Sequence, residues 1–313
     1  MKIVVLDGKQ LNPGDLSWRV FEELGELIVY DRTRSEEVDE RMEGAQIVLT
    51  NKTPIRKENL EKAKDLRYIG VLATGYDVVD IEDAARRSIP VTNVPIYGTN
   101  SVAQLTFALL LELIHRTADH DDLVKSLGWT DDWSMSLSTF SELSGKKMGI
   151  LGFGRIGQAV ATIARAFGME ILGVDRGKPI EGVTLLPLEE FFREADVISL
   201  HTPLTESSRG IIEKEHLSLM KPTAYLINTA RGPLVNEDDL AEALNEGRLA
   251  GAGLDVLDKE PNTESPLLLA KNVVLSPHRA WSAKEARARL MEMSADNLKR
   301  WLEGKPVHVV NGL

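Results

Sequence analysis

The chain has 313 residues, more than one hydrophobic core ordinarily supports, so two domains are expected. Its 37 basic side chains face 48 acidic ones, and the formal charge of -11 argues against nucleic acid or an anionic membrane as partner. There is no cysteine, which excludes disulfides, thiolate nucleophiles and Cys-ligated metals and favours a cytoplasmic setting.

From the N-terminus, strands and helices alternate. Strands are expected at 2–6, 27–30, 46–50, 66–72 and 91–93, and helices at 16–24, 35–42, 58–63 and 81–87. This βα alternation implies a mostly parallel sheet with helices covering its faces. The opening MKIVVLDG reads as strand and turn and not as a cleavable signal. No apolar run approaches the roughly 20 residues that span a bilayer. Two loops of this half follow strands, where open α/β sheets collect ligands. One holds Asn51 and Lys52. The other, Ala73, Thr74 and Gly75, is small enough for its backbone N–H groups to form a carboxylate nest. Each is equally a plain βα connection, and Lys52 equally a solvated lysine.

Residues 95–100 break the pattern with Pro, Gly and polar side chains and make a hinge candidate. A helix at 101–115 has a very apolar middle and belongs between layers or at a subunit face. Residues 119–140 are polar and acidic, and an irregular course is expected there. Their aromatics, Trp129, Trp133 and Phe140, serve an interface or pack back onto the parent domain.

Next comes the strongest signal in the chain. A strand at 148–151 runs into Gly152, Gly154 and Gly157, an Ala-rich helix of about a dozen residues follows, and a strand at 170–174 ends on Asp175. This is a dinucleotide fingerprint. Gly152 permits the tight turn, Gly154 lets backbone approach a pyrophosphate, and Gly157 lets helix pack on strand. The first-turn amides face the phosphates, and Asp175, about 20 residues on, accepts from the ribose hydroxyls of NAD. Arg176 can meet a 2′-phosphate, but the carboxylate beside it repels one, so NAD is favoured over NADP.

Beyond the fingerprint, helices are expected at 189–195, 214–219 and 237–245, the last capped by Asn236. Strands are expected at 197–201, 224–228, 252–256 and 273–275. A long helix at 285–303 then crosses back, so that the apolar tail 307–310 completes the first domain and the two linkers lie together as a hinge. The fold class is α/β, with two Rossmann-like domains on parallel sheets and the cofactor domain inserted in the substrate domain. Residues 1–98 with 286–313 form the substrate-binding domain and 99–285 the NAD-binding domain.

A bound nicotinamide needs a substrate that exchanges hydride and a group that moves the accompanying proton. The six histidines show no zinc-like spacing, so no metal is expected. His278 follows a strand end, and histidine suits proton transfer near neutrality. Glu260 follows another strand end and can hold the imidazole while favouring its charged form. Arg231, just past a third, offers a two-pronged donor set for a carboxylate or a keto oxygen. His201 also follows a strand and lies close to the cofactor. A satisfied core histidine, a surface glutamate and a capping arginine are the plainer readings of these residues.

These stretches together resemble the D-isomer-specific 2-hydroxyacid dehydrogenases over essentially the full length. The matches are L-G-F-G-R-I-G (151–157), H-T-P-L-T (201–205), I-N-T-A-R-G (227–232), G-L-D-V (253–256), E-P (260–261) and S-P-H (276–278). The resemblance implies that Arg231 binds the substrate's carbonyl and carboxylate, and that Glu260 and His278 form the acid–base dyad. It implies that the amides of Ala73, Thr74 and Gly75 take the substrate carboxylate, with Asn51, Lys52 and Trp281 lining the pocket. It places Arg155 and Ile156 beside the pyrophosphate, Asp255 near the nicotinamide carboxamide, and His201, Thr202, Pro203, Thr229 and Ala230 along the cofactor. L-T-N-K (49–52), A-T-G-Y-D-V-V-D (73–80) and N-S-V-A-Q (100–104) are similar to glycerate dehydrogenases, which reduce hydroxypyruvate and often glyoxylate. The family also implies a homodimer built through the NAD-binding domain. D-lactate and phosphoglycerate dehydrogenases share the machinery, and an NAD-sensing binding protein or corepressor on the same fold is the alternative without turnover.

Overall fold

The computed structural model describes residues 1–129 and 140–313; Trp133 lies outside them. The described chain divides into two compact units, Met1–Gly98 with Trp281–Leu313, and Thr99–Ala280. The second boundary therefore falls before Trp281 and not after residue 285. The reason is packing. Trp281 meets Tyr97 edge-on, with ring centroids 6.3 Å apart, and it joins the first unit's core together with Ala283. The amide of Ala280 instead donates to Asp255 of the second unit.

In the first unit five strands, β1 (Lys2–Val5), β2 (Glu26–Val29), β3 (Ile47–Thr50), β4 (Tyr68–Val71) and β5 (Val91–Thr92), pair in parallel in the order β2-β1-β3-β4-β5. Residues of β1, β3 and β4 are buried almost throughout, as apolar strands covered on both faces must be. Short helices α1 (Gly8–Leu11), α2 (Arg19–Glu22), α3 (Val38–Met42), α4 (Lys57–Lys62) and α5 (Ile81–Arg86) connect them. The helix expected at 16–24 contracts to α2, because the Asn12 side chain takes the chain before it into a turn. Its Nδ2 donates to Leu16 O, and its Oδ1 accepts from the amides of Gly14 and Leu16.

The second unit opens on α6 (Thr99–His115) and α7 (Thr117–Leu127). Expected as irregular chain, α7 is built by local polar bonds that offset its poor apolar pattern. Glu112 accepts from Thr117 Oγ1 at 2.6 Å and from the Ala118 amide at 3.3 Å, and Asp121 pairs with Lys125 one turn on. Phe140 lies 5.6 Å from the His115 ring and 6.2 Å from that of His120, so it packs back onto its own unit, while Trp129 is exposed. Seven parallel strands follow: β6 (Lys147–Leu151), β7 (Glu170–Val174), β8 (Thr184–Leu186), β9 (Val197–Leu200), β10 (Tyr225–Asn228), β11 (Gly251–Leu254) and β12 (Val273–Leu275). Their order is β12-β11-β10-β9-β6-β7-β8, so the winding reverses between β6 and β9. Helices α8 (Arg155–Ala166), α9 (Leu188–Glu194), α10 (Lys214–Leu219) and α11 (Glu237–Asn245) link them, and Asn236 caps α11 by accepting from the amides of Asp238 and Asp239.

Helix α6 is buried between layers. Ala103, Phe107, Leu110 and Ile114 enter a core shared with α8. A Cβ on Gly253 would stand 2.9 Å from the Cβ of Leu109, so β11 lies close to this helix only as glycine. After the crossing, α12 (Lys284–Leu302) returns to the first unit and buries Ala286, Leu290 and Leu298 against its sheet. The tail follows it, with Val310 N donating to Val91 O at 2.8 Å along β5.

Candidate active site

The turn after β6 is shaped by backbone contacts that admit no side chain. Gly152 has φ +109°, and a Cβ on it would lie 2.6 Å from the carbonyl of His201. A Cβ on Gly157 would lie 2.1 Å from Gly152 O, so the first turn of α8 is pressed onto the loop. Gly154 differs: a Cβ there would meet nothing within 4 Å. Open space therefore lies over the N-terminus of α8, beside Arg155 and Ile156. An open cleft of about 440 Å³ runs alongside, lined by Gly152, Phe153, Val174, Arg176 and Lys178. Asp175 stands exposed at the end of β7, its Oδ1 fixed by the Gly177 amide at 2.8 Å. Unpaired first-turn amides, room for a bulky anion and a positioned carboxylate at the point where the winding reverses are what a dinucleotide requires.

His201 adjoins this turn, its amide donating to Leu151 O at 2.8 Å. Its Nε2 lies 2.8 Å from Ser199 Oγ, and burial pushes the imidazole down to about 3, so the ring is neutral. Thr202 is buried beside it, and Pro203 O accepts from Ser208 Oγ at 2.8 Å.

The other candidates gather at the ends of β10, β11 and β12. Thr229 Oγ1 is 3.0 Å from Thr106 Oγ1. Buried Asn228 shapes the next loop, accepting from the Ala230 amide and donating to Arg231 O. Arg231 itself is exposed and bonds Ala230 O through Nη1 at 2.7 Å. Gly232 then presses on the loop after β11, where a Cβ would come within 1.9 Å of Leu257 C and O. That second loop carries Glu260, whose Oε1 accepts from the Leu257 amide at 3.0 Å and whose Oε2 lies 2.6 Å from His278 Nδ1. His278 adopts φ +52°, and its amide donates to Asp255 O at 2.7 Å. Asp255 is buried and accepts from the amides of Arg279 and Ala280 at 2.7 and 2.8 Å. Burial outweighs those bonds and holds its carboxyl above the usual range.

Asn51, Lys52, Ala73, Thr74, Gly75 and Trp281 belong to the other unit. Lys52 is exposed, whereas Asn51 is buried and donates through Nδ2 to Leu72 O. The carbonyl of Thr74 accepts from Asn93 Nδ2 at 2.7 Å, and its hydroxyl donates to Val94 O at 2.9 Å. Asp7, Asn93, Ser199 and Asn228 went unmarked in the sequence. Asp7 and Asn93 take their partners from distant segments that only the fold brings near, whereas Ser199 and Asn228 are single polar residues within apolar strands whose partners lie two or three residues on. Among the described residues, no group of three or more His, Cys, Asp or Glu side chains could hold a metal. None of the helices there is long and apolar enough to cross a membrane.

Residues 107–280 match the family model for the D-isomer specific 2-hydroxyacid dehydrogenase NAD binding domain. The chain belongs to the D-isomer specific 2-hydroxyacid dehydrogenases. A hydroxypyruvate reductase of Blautia hydrogenotrophica is 49% identical over 99% of this chain and 100% of its own. A glyoxylate reductase of Korarchaeum cryptofilum is 43% identical over 82% of this chain and 80% of its own. Among solved structures, an acyclic imino acid reductase in complex with NADPH and D-Arg superposes with a TM-score of 0.85 at 34% identity, covering 99% of this chain and 100% of that one. As a dehydrogenase of this family the protein is an NAD(H)-dependent oxidoreductase that interconverts a small 2-keto acid and its D-2-hydroxy acid, which sets aside the binding protein without turnover.

Proposed function

We propose that this dehydrogenase reduces hydroxypyruvate to D-glycerate with NADH, and glyoxylate as a second substrate. The observation that carries the chemistry is the 2.6 Å pairing of Glu260 Oε2 with His278 Nδ1. The likeness to a hydroxypyruvate reductase over nearly the whole of both chains supports the substrate. Residues 152–157 and Asp175 hold the dinucleotide, with the carboxylate favouring NAD over NADP; when bound, NADH supplies the hydride. Arg231 donates to the keto oxygen and the carboxylate, and the amides of Ala73, Thr74 and Gly75 take the carboxylate. Glu260 commits Nδ1 of His278, so proton exchange falls to Nε2, which protonates the oxygen developing at C2 and takes that proton back in the reverse direction. Positioning and preset charge account for most of the barrier lowering. The same reading makes the protein a cytoplasmic homodimer joined through its NAD-binding unit.

The test follows NADH oxidation by the purified protein on hydroxypyruvate, glyoxylate, pyruvate, 2-ketoisocaproate and 3-phosphohydroxypyruvate, with NADPH in parallel. Hydroxypyruvate should show the highest kcat/KM, at least about tenfold above the last three, a margin that pocket contacts readily supply. Preference for a bulky or phosphorylated acid overturns the substrate assignment. His278→Ala should cut kcat by about 10² to 10⁴, the usual worth of a general acid, while NADH affinity stays within twofold. Near-normal turnover removes His278 from this role.

A further inference from the structure

Asp7 breaks a local rule. It stands at the N-cap of α1, where an aspartate normally accepts from its own helix, yet its side chain makes no cap bond. Only 2% exposed, it gives both carboxylate oxygens to the loop after β3. Oδ1 accepts from the Asn51 amide at 2.8 Å. Oδ2 accepts from the amides of Lys52 and Thr53 at 2.5 and 2.7 Å, and lies 3.2 Å from Thr53 Oγ1. This is the point between β1 and β3 where the winding of the first sheet reverses, the usual place for a ligand in an open α/β sheet. Here a protein carboxylate fills it.

The constraint continues past the loop. Asn51, also 2% exposed, donates through Nδ2 to Leu72 O, the carbonyl directly before Ala73. Its own Oδ1 is buried without a hydrogen-bond partner among the described residues, so the side chain is held for that single bond. On the far side of the 73–75 loop, Asn93 and Val94 grip Thr74. The loop is therefore clamped from both flanks, and one clamp leads back to Asp7.

We infer that Asp7 is a positioning residue for the substrate: through Asn51 it sets the Lys52 side chain and the amides of Ala73, Thr74 and Gly75 where the keto acid's carboxylate is received. This rests on the proposed role of those amides. A charge-assisted acceptor for three N–H groups suits the task, because anionic hydrogen bonds are short, strong and poorly replaced by an amide. Asp7→Asn turns an NH₂ group toward at least one N–H donor, and the loop must shift to avoid it.

The experiment compares Asp7→Asn with Asp15→Asn in the full-length enzyme. The second substitution breaks the ion pair of Asp15 with buried Arg287 in the same unit, a pair that makes no hydrogen bond to residues 51–53 among the described residues. Asp7→Asn should raise KM for the keto acid about tenfold or more, with kcat within about threefold and the Kd of NADH within about twofold, the pattern of lost substrate binding. Asp15→Asn should lower Tm and leave KM unchanged. An unchanged KM in Asp7→Asn overturns the inference. Equal rises in both variants overturn it as well, since general loosening then accounts for them, and so does a loss shared by KM, kcat and NADH binding. Should Asp7→Asn fail to fold, Thr53→Ala, which removes the weakest of the four contacts, should raise KM two- to threefold, and no rise overturns the proposal. If the wild type reduces none of the keto acids, the proposed role of the 73–75 loop falls with it. Wild-type turnover with an indifferent Asp7 removes the positioning role alone.

Discussion

Two histidines at strand ends have been given opposite environments. His278 is half-buried, paired with a carboxylate and held at φ +52°, a left-handed conformation that costs a non-glycine residue energy and persists only where neighbours enforce it. Here the neighbours are Asp255, through the His278 amide, and Glu260, through the ring. Among the described residues His201 has no carboxylate partner; burial lowers it from 6.5 to about 3, and Ser199 is its ring contact. Below about pH 6.5 the unfolded chain takes up a proton at residue 201 that the native state accepts only near pH 3. Native stability should therefore fall as the pH drops through that window, by up to about 1.4 kcal/mol per unit at this site, and be fully kept above it. Urea midpoints for wild type and His201→Asn between pH 6.5 and 5 check this. The variant's stability should fall less steeply with pH, and parallel slopes would show that the ring is not buried as a neutral base. Arg231, Glu260 and His278 could be singled out in the sequence because each reactive type stands alone after a strand and beside glycine or proline, and the pairing of Glu260 with His278 is present in the fold. Asp7 could not, because an isolated aspartate gains its role only from the loop that lies across the sheet, and Ser199, though two residues from His201, is one serine within an apolar strand.

The informative features at the scale of elements are the joints. Gly232 has no room for a Cβ because its loop bears on Leu257 and Asp258 of the next one. Arg231 is thereby set against the loop that carries Glu260. Gly232→Ala must push these loops apart, and a displacement near 1 Å in a catalytic constellation can cost about 10²-fold. We expect kcat/KM for the keto acid to drop at least about tenfold, with NADH affinity, which depends on the more distant turn after β6, changing less than threefold. Steady-state kinetics with a fluorescence titration of NADH decide it, and unaltered kcat/KM would mean that the joint carries no catalytic geometry. Some elements were readable from sequence, most plainly the helix whose cap Asn236 supplies. The strand at 273–275 and the helices at 214–219 and 237–245 have the expected bounds. Those lost were set by context. β8 is a short edge strand with one β-branched side chain, where the equally short edge strand β12 has two valines, and α7 rests on Glu112 and on ion pairs, not on an apolar face. The expected helix at 16–24 gave way to the bonds of Asn12.

The two units are unequally self-sufficient. The first is assembled from separated segments: its core needs α12, and its edge strand β5 needs the tail, which also bonds it through Asn311 Oδ1 to the Val91 amide at 3.0 Å. The second is one continuous segment with its own sheet of seven strands and its own apolar cores. Its ends are tied together, Ser101 Oγ in the first turn of α6 donating to Ala280 O at 2.5 Å. A segment that closes on itself in this way meets the conditions for independent folding. Residues 99–280 expressed alone should unfold cooperatively and bind NADH within about threefold of the intact enzyme's Kd, because the whole fingerprint turn and His201 remain. The fragment should nevertheless reduce no keto acid. It retains Arg231, Glu260 and His278 but lacks the amides of Ala73, Thr74 and Gly75, and if those amides receive the carboxylate as proposed, the keto acid is not presented to the proposed dyad. Calorimetry, NADH titration and turnover assays on the fragment test each part. Measurable reduction of hydroxypyruvate by the fragment would show that Arg231 alone orients the acid, and would assign the 73–75 loop to affinity and not to catalysis.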